Sequence, residues 1–135
     1  MEINIKIDDE TERKCVPIKD EYFISQYARV FDETCKGWTK DAEVNLQVLL
    51  GMQLIASEKL MSVGHLFLND VYDMLGIPRT KAGQLVGWIY EQDSEVKDNY
   101  VHFMIHEKYN RGFINGYENT AILDFNVDGV IIDKL

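Results

Sequence analysis

The sequence predicts an α+β domain in which N-terminal helices pack on a C-terminal antiparallel sheet of about four to five short strands. Three observations carry this expectation. Apolar residues recur at helical spacing between residues 19 and 60, and from residue 87 onward the period shortens to two. Asn115-Gly116 and Asp128-Gly129 are dipeptides that accept the positive φ angles of tight hairpins. The 135 residues are of single-domain size and carry no repeat or low-complexity linker, so residues 1–135 read as one domain.

Ile3, Ile5 and Ile7 alternate with polar residues and predict a short half-buried strand, followed by a charged loop over residues 8–14. Phe23, Tyr27, Val30 and Phe31 fall at helical spacing and predict an amphipathic helix over residues 19–33 that ends before Gly37. Thr39 is the expected N-cap of a second helix, 40–60, with Asp41 and Glu43 at the positive end of its dipole. Val44, Val48, Met52, Ile55 and Ala56 lie on one side of it, and Leu46, Leu49, Leu50 and Leu54 extend the apolar surface most of the way round. Such a helix is either central in the core or shared between subunits. Its apolar run, residues 44–56, is interrupted by Asn45, Gln47, Gly51 and Gln53 and is too short for a bilayer, which needs about 20 residues.

Asn69 is the expected N-cap of a two-turn helix over 70–75, Gly76 its left-handed terminator and Pro78 a block to continuation. Thr80 caps a brief helical turn ending at Leu85. Trp88 and Tyr90 then open the period-2 region, residues 91–98 form a polar loop, and 99–106 alternate with Val101, Phe103 and Ile105 on one face. Strands are expected near 111–114, 118–127 and 130–134, separated by the two hairpin dipeptides.

Fourteen Lys and Arg stand against 23 Asp and Glu, a net charge of −9, so direct nucleic-acid binding is not expected. The surplus lies in residues 1–37 and 91–135, whereas 61–90 are neutral. Residues 1–10 lack the basic and apolar regions of a secretory signal, which favours a cytoplasmic protein. Cys15 and Cys35 are too few for a zinc site of their own, and a disulfide between them stands as the alternative to two reduced thiols.

Asp70 and Asp73 share one side of a short helix, and paired carboxylates can divide acid and base roles. With His65 they are the candidate catalytic residues. Asp124-x-Asn126-x-Asp128-Gly129-x-Ile131 matches the first eight positions of a calcium-binding loop, which makes Asp124, Asn126 and Asp128 the candidate metal ligands. The twelfth position is Leu135 rather than Glu, and Asp-Gly between Val127 and Val130 reads better as a tight turn. His102 and His106, four apart on an extended segment, stand about 13 Å apart, too far for one metal. No glycine-rich phosphate loop and no nucleophile elbow is present, and no cofactor is expected.

Residues 67–88, with Leu68-Asn69, Tyr72, Leu75-Gly76, Thr80, Gly83 and Gly87-Trp88, resemble a family of uncharacterised proteins from phages and phage-derived mobile elements of Gram-positive bacteria. Trp38-Thr39-Lys40-Asp41 and Leu123-Asp124-Phe125-Asn126 extend the resemblance over residues 35–135, leaving out residues 1–34, nearly all of the N-terminal strand and helix of 1–37. It implies a bacterial host cell and no activity. Longer members carry an apolar N-terminal part, and a membrane role is not expected here. The motif points to Trp88, Tyr72, Asn69 and Thr80 as candidate binding residues, each with a structural role as cap or anchor.

Three readings follow. The first is a non-enzymatic protein-binding or assembly module, with a protein partner or a second copy on the acidic sheet or the apolar helix. The second is a small metal-dependent or acid/base hydrolase using Asp70 and Asp73. The third is an acidic inhibitor of a basic nucleic-acid-binding enzyme.

Overall fold

The computed structural model describes residues 15–18 and 22–135, with side chains from Ile24 onward. The strand expected at Ile3, Ile5 and Ile7 and the charged loop of 8–14 lie outside the described residues. Among the described residues, three helices and small antiparallel sheets alternate along the chain rather than falling into a helical half and a sheet half. The order is β1 (Cys15–Ile18), β2 (Tyr22–Ser25), β3 (Arg29–Phe31), α1 (Ala42–Val63), β4 (His65–Phe67), α2 (Leu68–Leu75), β5 (Val86–Ile89), α3 (Arg111–Ile114), β6 (Ala121–Leu123) and β7 (Gly129–Val130). β1 and β2 form a hairpin, β3 pairs with β6, and β5 lies between β4 and β7; every pairing is antiparallel.

The helix expected over 19–33 is replaced by β2, a turn and β3. Its aromatic and β-branched residues suit strands as well as helices, and a distant group decides between them. The Asp124 carboxylate accepts the Ser25 backbone N–H at 2.8 Å and its hydroxyl at 2.5 Å, while Ser25 Oγ accepts the Tyr27 N–H, fixing the turn. Burial then alternates as in a strand, with Phe31 fully buried and Val30 exposed.

α1 forms as expected, starting two residues later and ending three residues later. Asp41, not Thr39, is the N-cap, accepting from the N–H groups of Glu43 and Val44, and Thr39 Oγ1 accepts from the Asp41 N–H. The buried face is Ala42, Asn45, Leu49, Ala56 and Leu60. Val44 and Ile55, grouped above with the apolar side, are exposed, because the inner face is set by period 3.6 around Leu49 and Leu60.

α2 begins at Leu68, where Asp70 reaches back to the Phe67 N–H at 3.1 Å. Asn69 is therefore inside the helix rather than its N-cap. Gly76 terminates α2 at φ +74°, as expected of a left-handed C-terminal residue. Thr80 Oγ1 accepts the Gly83 N–H at 2.8 Å and caps the single 3-10 turn Ala82–Gln84, also as expected.

The C-terminal third departs furthest from the expected sheet. Residues 99–106 are not a ladder strand, although Val101, Phe103 and Ile105 are all buried as the alternation predicts. Asn99 and Met104 take positive φ, +59° and +56°, which breaks the extended run at both ends. Residues 111–114 are helical, and Asn115-Gly116 leads out of α3 instead of joining two strands. Asp128-Gly129 is not a hairpin turn either: the Asp128 N–H bonds to the Gly87 carbonyl and Gly129 pairs with Gly87 inside the sheet.

The core gathers the inner face of α1, the Leu68, Val71, Tyr72 and Leu75 face of α2, Leu66, Val86 and Trp88 from the central sheet, and Phe103, Phe113, Leu123 and Phe125. Tyr72 and Phe103 meet Phe125 edge to face at 5.7 and 5.6 Å between ring centroids.

Candidate functional site

Asparagine side chains do much of the work that a sheet ladder would do. Asn69 Nδ2 donates to the Thr80 carbonyl and its Oδ1 accepts the Thr80 N–H, both at 3.0 Å. Asn45 holds both backbone groups of Thr39 in the same way, Asn110 those of Ile122, and Asn99 those of Glu91. A primary amide offers one acceptor and a donor on the same edge, as an extended residue does, so each asparagine replaces a neighbouring strand by one residue. Asn126 does the same across two residues, accepting the His102 N–H at 2.8 Å and donating to the Tyr100 carbonyl at 3.0 Å. Ser57 and Gln53 of α1 take the N–H groups of Val101 and Phe103. The extended segment 100–103 is thus held almost entirely by side chains.

The four candidate binding residues belong to this interior framework. Trp88 is buried with Nε1 donating to Asn126 Oδ1 at 2.9 Å. Tyr72 is fully buried and its hydroxyl donates to the Tyr27 carbonyl at 2.6 Å, with Arg29 over its ring. Asn69 and Thr80 are each other's partners.

The candidate catalytic residues have separate engagements. Asp70 holds the start of α2, Asp73 receives the Arg79 guanidinium, and the His65 ring stands edge-on to Phe67 at 5.8 Å. The hydrogen bond from Arg79 holds the Asp73 carboxyl below its ordinary value. Among the three candidate metal ligands, Asp124 serves Ser25, Asn126 serves Trp88 and the 100–103 segment, and Asp128 accepts the Ile89 N–H and the Lys97 ammonium. Among the described residues no group of three or more His, Cys, Asp or Glu is placed to hold a metal ion. Cys35 is a free thiol, its hydrogen directed at the Val30 carbonyl, and burial pushes its pKa up.

Recesses indent the surface formed by the described residues. An open polar one of about 440 Å³ lies beside the start of α1, between Lys40 and the 116–120 loop. A smaller one, about 140 Å³, is floored by Trp88 and Asn126 and walled by the 96–100 loop and Asp128. Lys97 lines it, donating to the Ile89 carbonyl and Asp128 at 3.0 Å and pairing with Glu91 at 3.2 Å. Burial alone would lower the Lys97 pKa, but the two carboxylates outweigh it and hold the ammonium above its ordinary value. No sequence motif marks Lys97, since its partners come from two segments, 89–91 and 128. Replacing Lys97 by Met keeps the stem and removes the charge, and is expected to cost about 1–2 kcal/mol in urea denaturation. A raised folded pKa contributes stability in full below the unfolded value and loses it as pH rises through the folded one. The difference between wild type and Lys97→Met is therefore expected to persist through neutral pH and to vanish only above about 10.4.

Among the described residues the outer side of α1 gathers four exposed apolar side chains, Val44, Leu54, Ile55 and Met61. Leu54 is 60% exposed on a helix whose opposite side is sealed in the core. No described helix is long and apolar enough to cross a membrane. No curated protein and no solved structure matches the chain. A family model described as a family of unknown function (DUF6353) matches residues 1–135, which takes in residues 1–34 that the motif resemblance left out, and the chain belongs to that family.

Proposed function

We propose that the protein is a non-enzymatic docking module whose contact surface is the outer face of α1. The observation that carries this reading is the two-sided apolar character of that helix. Leu49, Ala56 and Leu60 fill the core, while Val44, Leu54, Ile55 and Met61 meet water on the other side. A helix apolar on both sides is favoured where a partner covers the second side. The groups that a hydrolase would need support the same reading, because Asp70 and Asp73 already serve a helix start and an exposed ion pair.

The test is a photo-crosslinking amino acid placed at Leu54 in the protein's native cells, with Val96 as control. Val96 is apolar and 92% exposed but stands alone in a polar loop. A discrete adduct at position 54 that is missing at 96 is the expected result. No discrete adduct at 54, or the same adducts at both positions, would overturn the reading.

A further inference from the structure

We infer that the partner of this face is a second copy of the chain, docked antiparallel with the two α1 helices crossing at Gly51. The inference rests on the reading of the outer face as a docking surface and goes on to name its occupant. Gly51 lies near the middle of the 22-residue helix. Nine residues, about two and a half turns, separate it from both Ala42 and Leu60, so it points directly away from the buried face. A Cβ built there meets nothing within 4 Å. Glycine in a helix interior costs about 1 kcal/mol relative to alanine, and nothing inside the fold requires it. The missing side chain matters only to something approaching from outside, where it lets a second helix axis come close.

Val44, Leu54 and Ile55 lie on either side of Gly51 along this face, and half-buried Val48, against Gly37, lies at its edge. Glu58 lies within the stripe, and Lys40, Asp41, Glu43 and Lys59 lie toward its ends. An antiparallel crossing brings the end with Lys40, Asp41 and Glu43 beside the end with Glu58 and Lys59 of the other copy. Each Lys59 then lies near an acidic N-terminal turn, and each Glu58 near a Lys40. A parallel pair would set Glu43 against Glu43 and Lys59 against Lys59. Net charge decides between a second copy and a basic partner. At −9, two copies repel over most of their surfaces. They can meet only on a face close to neutral, and residues 38–60 carry two bases against three acids. A basic partner would be drawn instead to the acidic segments 1–37 and 91–135.

Sedimentation equilibrium of the full chain is expected to show a reversible species of twice 15.7 kDa. Gly51→Leu is expected to raise the dimer dissociation constant roughly tenfold or more while leaving the monomer as stable or more so, since leucine is the better helix former and the space is open. A purely internal role for Gly51 would not weaken association. Carbodiimide coupling of a mixture of ¹⁵N-labelled and unlabelled protein is expected to give mixed-isotope peptides joining residues 40–43 to 58–59. Mixed-isotope peptides joining 58–59 to 58–59 would overturn the antiparallel arrangement. A 15.7 kDa species at every concentration, together with a Leu54 adduct to a different protein, would overturn the second copy and keep the docking face. A monomer with no discrete adduct would overturn both.

Discussion

Gly87→Ala is expected to lose about 3 kcal/mol of stability, the upper end for overpacking. Gly87 sits in β5 opposite Phe67 on one side and Gly129 on the other, so it has a strand at each edge. A Cβ there would overlap the Leu66 carbonyl oxygen and stand 2.8 Å from the Phe67 Cα. Those are backbone atoms of a paired strand and cannot turn aside as a flexible side chain would. Relief requires β4 and β5 to part, which disturbs the pairing that sets Trp88 in the core. It also moves the Gly87 carbonyl that receives the Asp128 N–H, and so reaches the recess lined by Asp128 and Lys97. Urea denaturation followed by Trp fluorescence should show an earlier midpoint with an unchanged slope. A loss under about 1 kcal/mol would mean that the sheet yields easily and that the close approach is incidental. Gly51→Ala makes the contrast, since a Cβ there meets open space and the monomer should gain stability.

What was legible in the sequence follows from how local each deciding interaction is. α1, the Gly76 terminator and the Thr80 cap rest on contacts within four residues, and periodicity or a capping residue announces them. The inward side of Val101, Phe103 and Ile105 was legible for the same reason. The failures share a cause. β2 and β3 replace a predicted helix because Asp124, distant in sequence, anchors Ser25. Residues 99–106 look like a strand, yet their backbone partners are Ser57, Gln53 and Asn126 side chains. No alternation of polar and apolar residues encodes which amide will stand in for a strand. Asp128-Gly129 carries a strong hairpin signal, but Gly87 receives it as a strand partner instead. The candidate residues were chosen for chemical type, and Asn69, Thr80, Tyr72 and Trp88 prove to be interior polar clamps. The outer face of α1 was legible as a choice between core and interface, and with Leu60 buried and Leu54 exposed one side of the helix is core while the other meets solvent.

The asparagine framework predicts an effect as large as that of Gly87→Ala from a change of a single atom. Asn110 is 2% exposed; its Nδ2 donates to the carbonyls of Ile105 at 3.1 Å and Ile122 at 2.8 Å, and its Oδ1 accepts the Ile122 N–H at 2.8 Å. Asn110→Asp keeps the shape and the acceptor but turns the donor into a second acceptor facing two carbonyl oxygens. At neutral pH the cost is expected to be about 3–4 kcal/mol, combining two lost hydrogen bonds with a buried unpaired charge. The sign of the pH dependence separates this account from a simple packing defect. Burial among carbonyls raises the folded pKa of the new carboxyl above its unfolded value of about 3.9. The protonated acid can donate one hydrogen bond, so stability is regained most fully below that value and lost as pH rises through the folded pKa. The gap between variant and wild type should therefore narrow on acidification from neutral pH. Asn110→Leu is the control: it leaves the Ile122 N–H and carbonyl unpaired without adding a titrating group, and its gap should not narrow. A constant gap for Asn110→Asp across the acid range would show that the amide donor is dispensable, and with it the idea that this residue takes the place of a strand beside β6.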